Sequence, residues 1–180
     1  TIAYDIAIVN DAADFVSTLR LFQSEPTQAI NYSEFSRGDL FKAYDDYLSA
    51  SSINQFLYLD DSSYDGKLLR LKQEYFYSAS AIRDIFKRYI NRYGSIEGID
   101  ERIKIFANDI HPTIALVEFI RILNIRFSID IKEAIFITRR IFEHIAFSIT
   151  SDSLESYPVD MIKRVNPEIL ETIILIQSIL

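Results

Sequence analysis

The chain has 180 residues, 49% of them hydrophobic, with no cysteine and a formal net charge of −7. That length sets one domain, residues 1–180, as the expectation, and the apolar fraction is enough for a buried core. The acidic balance argues against nucleic acid as a partner. The missing thiols exclude disulfides and thiol chemistry and are compatible with a cytoplasmic location. No apolar run reaches membrane-spanning length, Ile169 to Leu180 being too short. The first residue is Thr1 rather than Met, without a basic start or a signal-like apolar stretch, which points to an excised piece or a processed chain. Only four glycines and four prolines punctuate the sequence, which favours long elements.

In chain order, Thr1 to Val9 alternates with Ile2, Tyr4, Ile6 and Ile8 on one face, as an edge strand does. Val16 to Phe22 reads as a second short strand, and Ser24 to Glu34, with Pro26, as a connection. Ser36 to Phe56 predicts one helix, capped by Asp39 and apolar at Leu40, Ala43, Tyr44 and Leu48. Asp60 to Gly66 is an acidic turn-rich loop. Lys67 to Tyr93 carries the strongest helical signal, with Leu68, Leu71, Tyr75, Ala79, Ile82, Phe86 and Ile90 at three-four spacing and Gly94 as its stop. Lys87, Arg88 and Arg92 suit the negative end of its dipole.

Ile103 to Asn108 then predicts a buried strand, ending at a polar turn that opens into a helix at Pro112. Asn108, Asp109 and His111 fall at its carboxyl end, where open α/β sheets place ligands. Pro112 to Asn124 is helical. A further helix, capped by Asp130 with Glu133 three residues on, is expected to reach Ile145 and to carry Glu143 and His144 on a solvated face. Thr150 to Tyr157 is loop-like, and Pro158 and Pro167 each open a short helix. The sum is a helix-rich α/β arrangement with a small sheet. No nucleophile triad, phosphate-cradling glycine loop or nucleotide fingerprint is present. With two histidines and no ligand cluster visible in the sequence, no metal site is expected.

Several stretches, in order and across nearly the whole chain, resemble the α-glucan (glycogen, starch, maltodextrin) phosphorylase family. Gly66-Lys67-Leu68-Leu69-Arg70-Leu71-Lys72-Gln73-Glu74-Tyr75-Phe76 is similar to the family run Gly-Lys-Glu-Leu-Arg-Leu-Lys-Gln-Glu-Tyr-Phe. Asn108-Asp109-Ile110-His111-Pro112, followed by Glu118 and Arg121, resembles its Asn-Asp-Thr-His-Pro helix start. Thr18 to Phe22 resembles a Thr-Leu-Arg-Leu-Trp strand, and Leu154 to Val159 a Leu-Glu-Arg-Trp-Pro-Val segment. The resemblance implies a partial Rossmann-like domain, the later part of the N-terminal domain of a two-domain glycosyltransferase fold. It implies phosphorolysis of α-1,4-glucan by orthophosphate to glucose 1-phosphate, pyridoxal 5′-phosphate as the family cofactor, and dimerisation through residues 38–56. By resemblance, Asp109, His111, Glu155 and Ser148 bind substrate, and Asp61 and Ser62 sit on a gate loop.

The departures carry equal weight. The family lysine that holds pyridoxal phosphate and the glycine loop near the sugar have no counterpart here, so neither the cofactor nor turnover is expected of this chain alone; a cleft needs both walls to exclude water and align reactants. Ala146-Phe147-Ser148 stands where the family has Asn-His-Thr, and Ser62 where it usually has asparagine. Phe147 lacks the ring hydrogen bond of histidine. Two readings follow: an enzyme-derived segment that is inactive alone, or a non-catalytic interaction module that has kept the scaffold. The residues themselves leave simpler roles open: Asp109 as a helix cap, His111 as a turn residue, Asp61 as a solvated turn, Glu155 as a surface carboxylate, and Arg70 and Lys72 as a helix flank.

Overall fold

The computed structural model describes residues 1–9, 16–145 and 155–180. Two compact units follow one another, Thr1–Asp60 and Asp61–Leu180. Among the described residues no helix is long and apolar enough to cross a membrane.

In the first unit β1 (Ile2–Val9) and β2 (Val16–Gln23) pair antiparallel, from Ile2 opposite Gln23 to Val9 opposite Val16. Both strands expected here are present. The register sets Tyr4 and Ile6 beside Leu21 and Leu19 on one face, and on the other Asp5 lies opposite Arg20 and pairs with it at 3.4 Å. Asn54 ties the hairpin's exit down: its Oδ1 accepts from the Ser24 N–H at 2.6 Å, and its Nδ2 donates to the Phe22 carbonyl at 3.2 Å. The single helix expected over 36–56 is instead three pieces, α1 (Tyr32–Ser36), α2 (Leu40–Ala43) and α3 (Asp45–Gln55). Gly38 takes a left-handed φ of 81°, which ends α1, and Asp39 then caps α2 by accepting from the Lys42 N–H at 3.2 Å. Asn31 caps α1 in the same way, so the helical part begins earlier than the expected connection allows.

The second unit is built on α4 (Tyr64–Tyr93), 30 residues long and therefore about 45 Å. Ser63 caps it through the Gly66 N–H at 3.1 Å, and Gly94, at φ 79°, closes it as expected. Leu68, Leu71, Ala79, Ile82 and Phe86 of the expected stripe are buried, with Tyr89 joining them. After α5 (Ile99–Arg102) comes β3 (Ile105–Asn108), then a 3-10 turn (His111–Thr113), α6 (Ile114–Arg121) and a π-helical turn (Ile122–Arg126). α7 (Ile131–Ile141), capped by Asp130, stops at Ile141, and Phe142–Ile145 forms β4, parallel to β3 with Ile105 opposite Phe142. The expected continuation of that helix to Ile145 is thus corrected. A four-residue Phe-Glu-His-Ile run suits either state, and the open edge of β3 supplies partners for its backbone groups. Two parallel strands joined by helices are the elementary unit of α/β folds. α8 (Val159–Val165) and α9 (Pro167–Gln177) complete the unit at the two expected prolines.

Its core centres on Phe86 stacked on Phe119 at 4.6 Å between ring centroids, flanked by Phe127 and Phe142. Beside it lies a buried ionic hub. The Glu118 side chain is 0% exposed and is held by Arg121 through two bonds of 2.7 and 2.9 Å, by Arg83 at 3.2 Å and by the Tyr75 hydroxyl at 3.4 Å. Arg121 also reaches Glu168 on α9 at 2.6 Å. Such a pair contributes little over apolar packing, but losing one partner strands a desolvated charge. Arg121→Met is therefore expected to destabilise the chain by about 3 kcal/mol, and Arg121→Met combined with Glu118→Leu to recover most of that loss, as read from urea unfolding midpoints.

Candidate functional site

Four segments of the second unit converge on one cluster. α4 contributes Arg70 and Glu74, one helical turn apart and therefore on the same face. The turn after β3 contributes His111, and the segment before α8 contributes Glu155 and Tyr157. The loop before α4 contributes Asp61. Asp109 shapes the turn: it takes a left-handed φ of 71°, and its Oδ1 accepts from the Ile110 N–H at 2.8 Å. The ladder runs on past β3, with the Asp109 N–H donating to the Ile145 carbonyl at 2.8 Å. His111 follows directly and is carried toward α4.

Arg70 is the cationic centre. Its Nη2 lies 2.5 Å from Glu155 Oε1, its Nη1 3.2 Å from Asp61, and its Nε 3.5 Å from Glu74. His111 Nδ1 stands 3.2 Å from Glu155 Oε2 and 3.6 Å from Glu74 Oε1. The Tyr157 hydroxyl donates to Glu74 Oε1 at 2.9 Å and approaches Glu155 Oε2 at 3.4 Å. Glu74 and Glu155 are only 12% and 19% exposed, so their charges are poorly screened. Burial, and then the neighbouring Glu155 charge, pushes the Glu74 carboxyl up to about 7. Burial also works against the Glu155 charge, but bonding to His111 and to Glu74, with Arg70 behind them, holds its pKa below the usual value. Burial and the Glu74 carboxylate raise the Tyr157 hydroxyl, so it stays protonated as a donor.

The cluster opens onto a cavity of about 370 Å³. Its polar lining includes Glu74, His111, His144, Glu155 and Tyr157, and its apolar lining includes Leu71, Ile110, Ile114 and Ile162. A concave apolar floor under a few convergent polar groups is the usual form of a small-molecule site.

His111 and Glu155, singled out from the sequence, are thus brought together, and Asp61 joins them through Arg70. The Asp109 carboxylate binds its own turn and lies outside the cluster. Ser62 is exposed on the loop before α4, and Ser148, with Phe147, lies outside the described residues. Two simpler roles are corrected, and His144 keeps the exposure expected of it, on a strand rather than a helix. Arg70 is the hub of three ion pairs and no mere helix flank. Glu155 is a clustered carboxylate, since Arg70 and His111 draw it inward. His144 lies on β4, where its Nε2 meets the Asp109 carbonyl at 2.9 Å. Glu74 and Tyr157 were not singled out. Glu74's position four residues after Arg70 in the quoted run was the signal available for it.

Because the folded chain keeps a proton on Glu74 that the unfolded chain releases near pH 4.5, stability from this group falls as pH rises from about 4.5 through about 7. Glu74→Gln, which keeps an acceptor for Tyr157, is expected to flatten that fall by on the order of 2 kcal/mol. Urea midpoints of both proteins at about pH 5 and about pH 8 measure it.

With this geometry in place, comparison with known proteins is direct. The carbohydrate phosphorylase family matches residues 1–180. Glycogen phosphorylase of Haemophilus influenzae is 33% identical over 172 residues, covering 96% of this chain and 21% of that protein. Glycogen phosphorylase of Saccharomyces cerevisiae is 33% identical, covering 96% and 19%, and the human liver form 31% identical, covering 94% and 21%. The chain therefore spans about a fifth of the length of these relatives. The match runs through the residues of α4, the β3 turn and the segment before α8 that build the cluster, and the chain belongs to the carbohydrate phosphorylase family.

Proposed function

We propose that this chain forms one wall of an α-glucan phosphorylase cleft, in which His111 and Glu155 bind sugar hydroxyls at the carboxyl end of β3. The observation that carries the reading is the convergence of His111, Glu155, Glu74 and Arg70 on a cavity beside the parallel β3–β4 pair of a helix-rich α/β unit. Carboxylate oxygens accept from sugar hydroxyls, and the imidazole either donates or accepts. Arg70 fixes Glu155 in place and, through Asp61, anchors the gate loop that also bears Ser62.

In the reaction the family name implies, orthophosphate bonds to the anomeric carbon of the terminal glucose. The glycosidic C–O bond breaks, and a proton goes to the shortened glucan. Charge develops at the sugar, so orientation and exclusion of water dominate. The cavity is not enclosed, and its lining carries two carboxyl groups, Glu74 and Glu155. It also does not fit pyridoxal phosphate: no lysine is among the described residues that line it, and Glu74 and Glu155 would repel a phosphate. The chain accordingly binds glucan weakly and does not turn it over alone. Phe147 and Ser62, where the family carries histidine and asparagine, favour a second reading, a scaffold kept for association. Under either reading the partner surface is 38–56, where Phe41 is 87% exposed and Leu40 and Leu48 are also exposed, giving a homodimer in the cytoplasm.

A phosphate-dependent assay for glucose 1-phosphate, with and without pyridoxal phosphate, is expected to give no turnover from the 180-residue chain; measurable product overturns the inactivity. Saturation-transfer NMR with a linear maltooligosaccharide is expected to detect binding that His111→Ala weakens by roughly 10-fold, the loss of about one good hydrogen bond. Absence of any sugar signal supports the scaffold reading instead.

A further inference from the structure

The hydroxyl-binding reading leaves one property of the cluster unused. Glu74, His111 and Glu155 come from three separate segments, and one ligand atom of each, a ring nitrogen and two carboxylate oxygens, lies within 4.8 Å of the other two. Two of the separations are 3.2 and 3.6 Å. Donors bound to one ion at about 2.1 Å in a tetrahedron sit about 3.4 Å apart, so these two edges already bracket the value zinc imposes. We infer that Glu74, His111 and Glu155 form a binding site for a divalent transition-metal ion of the zinc kind, held by one imidazole nitrogen and two carboxylate oxygens.

Charge points the same way. Asp61, Glu74 and Glu155 all face the single guanidinium of Arg70, so three carboxylates share one cation. A dication offsets that excess without displacing Arg70, because Arg70 takes Glu155 through Oε1 while the donor is Oε2. Tyr157, donating to Glu74 Oε1, is the outer partner that orients a metal-bound carboxylate. The cavity, independent of the donor spacing, leaves room for the fourth, open position that a three-ligand zinc site keeps for water or substrate. A nitrogen donor favours zinc, and cobalt as its spectroscopic stand-in, over magnesium, calcium or manganese. The inference rests on donor geometry, local charge and the cavity and not on phosphorolysis, so either can fail without the other.

The test is titration of the full 180-residue chain with Co²⁺ near neutral pH, followed by its visible d–d absorption and displaced by Zn²⁺. One ion per chain is expected, unaffected by excess Mg²⁺. His111→Ala and Glu155→Gln are each expected to weaken binding at least about 10-fold, while Glu133→Gln, on the exposed side of α7, binds as the parent does. X-ray absorption of the Zn²⁺-loaded parent, which needs no variant to fold, is expected to show a nitrogen and oxygen shell of low coordination number. No saturable binding, an all-oxygen shell, or binding that survives His111→Ala in a chain with an unchanged circular dichroism spectrum overturns the site.

Discussion

The fully buried Glu118 carboxylate is the constraint on which the second unit depends. A desolvated carboxylate is tolerable only with charged, well-aligned donors, and here those donors lie on two helices. Arg121 is three residues along α6, and Arg83 and Tyr75 are on α4. The hub therefore fixes the rotation of α4 relative to α6, and through Arg121 and Glu168 it ties in α9. Asn166, bonded to the Tyr75 hydroxyl, closes the same arrangement from the α8–α9 junction. Apolar packing around Phe86 and Phe119 supplies most of the free energy there, but hydrophobic contact is non-directional and tolerates small rotations. The ionic hub does not.

That rotation has a consequence one helical face away. Glu74 precedes Tyr75, and Arg70 lies one turn earlier, so fixing α4 aims both toward the turn after β3. His111 begins the helical run that continues into α6, so the element that carries Glu118 also carries the histidine. The stability hub and the candidate site are two readings of the same helix pair. The site stores unfavourable electrostatics, with two half-buried carboxylates close enough that Glu74 gains a proton near neutrality. The hub beside it is the balanced counterpart, with two arginines for one carboxylate.

Much of this was legible in the sequence. The stripe Leu68, Leu71, Ala79, Ile82 and Phe86, the stop at Gly94, the caps at Asp39 and Asp130, and the helix starts at Pro158 and Pro167 are local signals, and local physics decides them. The β3–turn–helix unit was legible for the same reason, since alternation, a polar turn at Asn108 and Asp109, and Pro112 follow in order, although the left-handed φ of Asp109 was not foreseen. The errors fell where local preference was weak. Phe142 to Ile145 became a strand because β3 offered it backbone partners, and 36–56 broke at Gly38 and Tyr44 despite a continuous helical pattern.

What the sequence by itself determined was the family, the long helix and the identities of His111 and Glu155 as candidates. Those rest on residue type and short spacing, both visible in one dimension. What only the tertiary structure decided was company: 44 positions separate His111 from Glu155, and 83 separate Tyr157 from Glu74. Contacts across such separations are set by how helices pack, a collective outcome of burial and charge satisfaction that no local window contains.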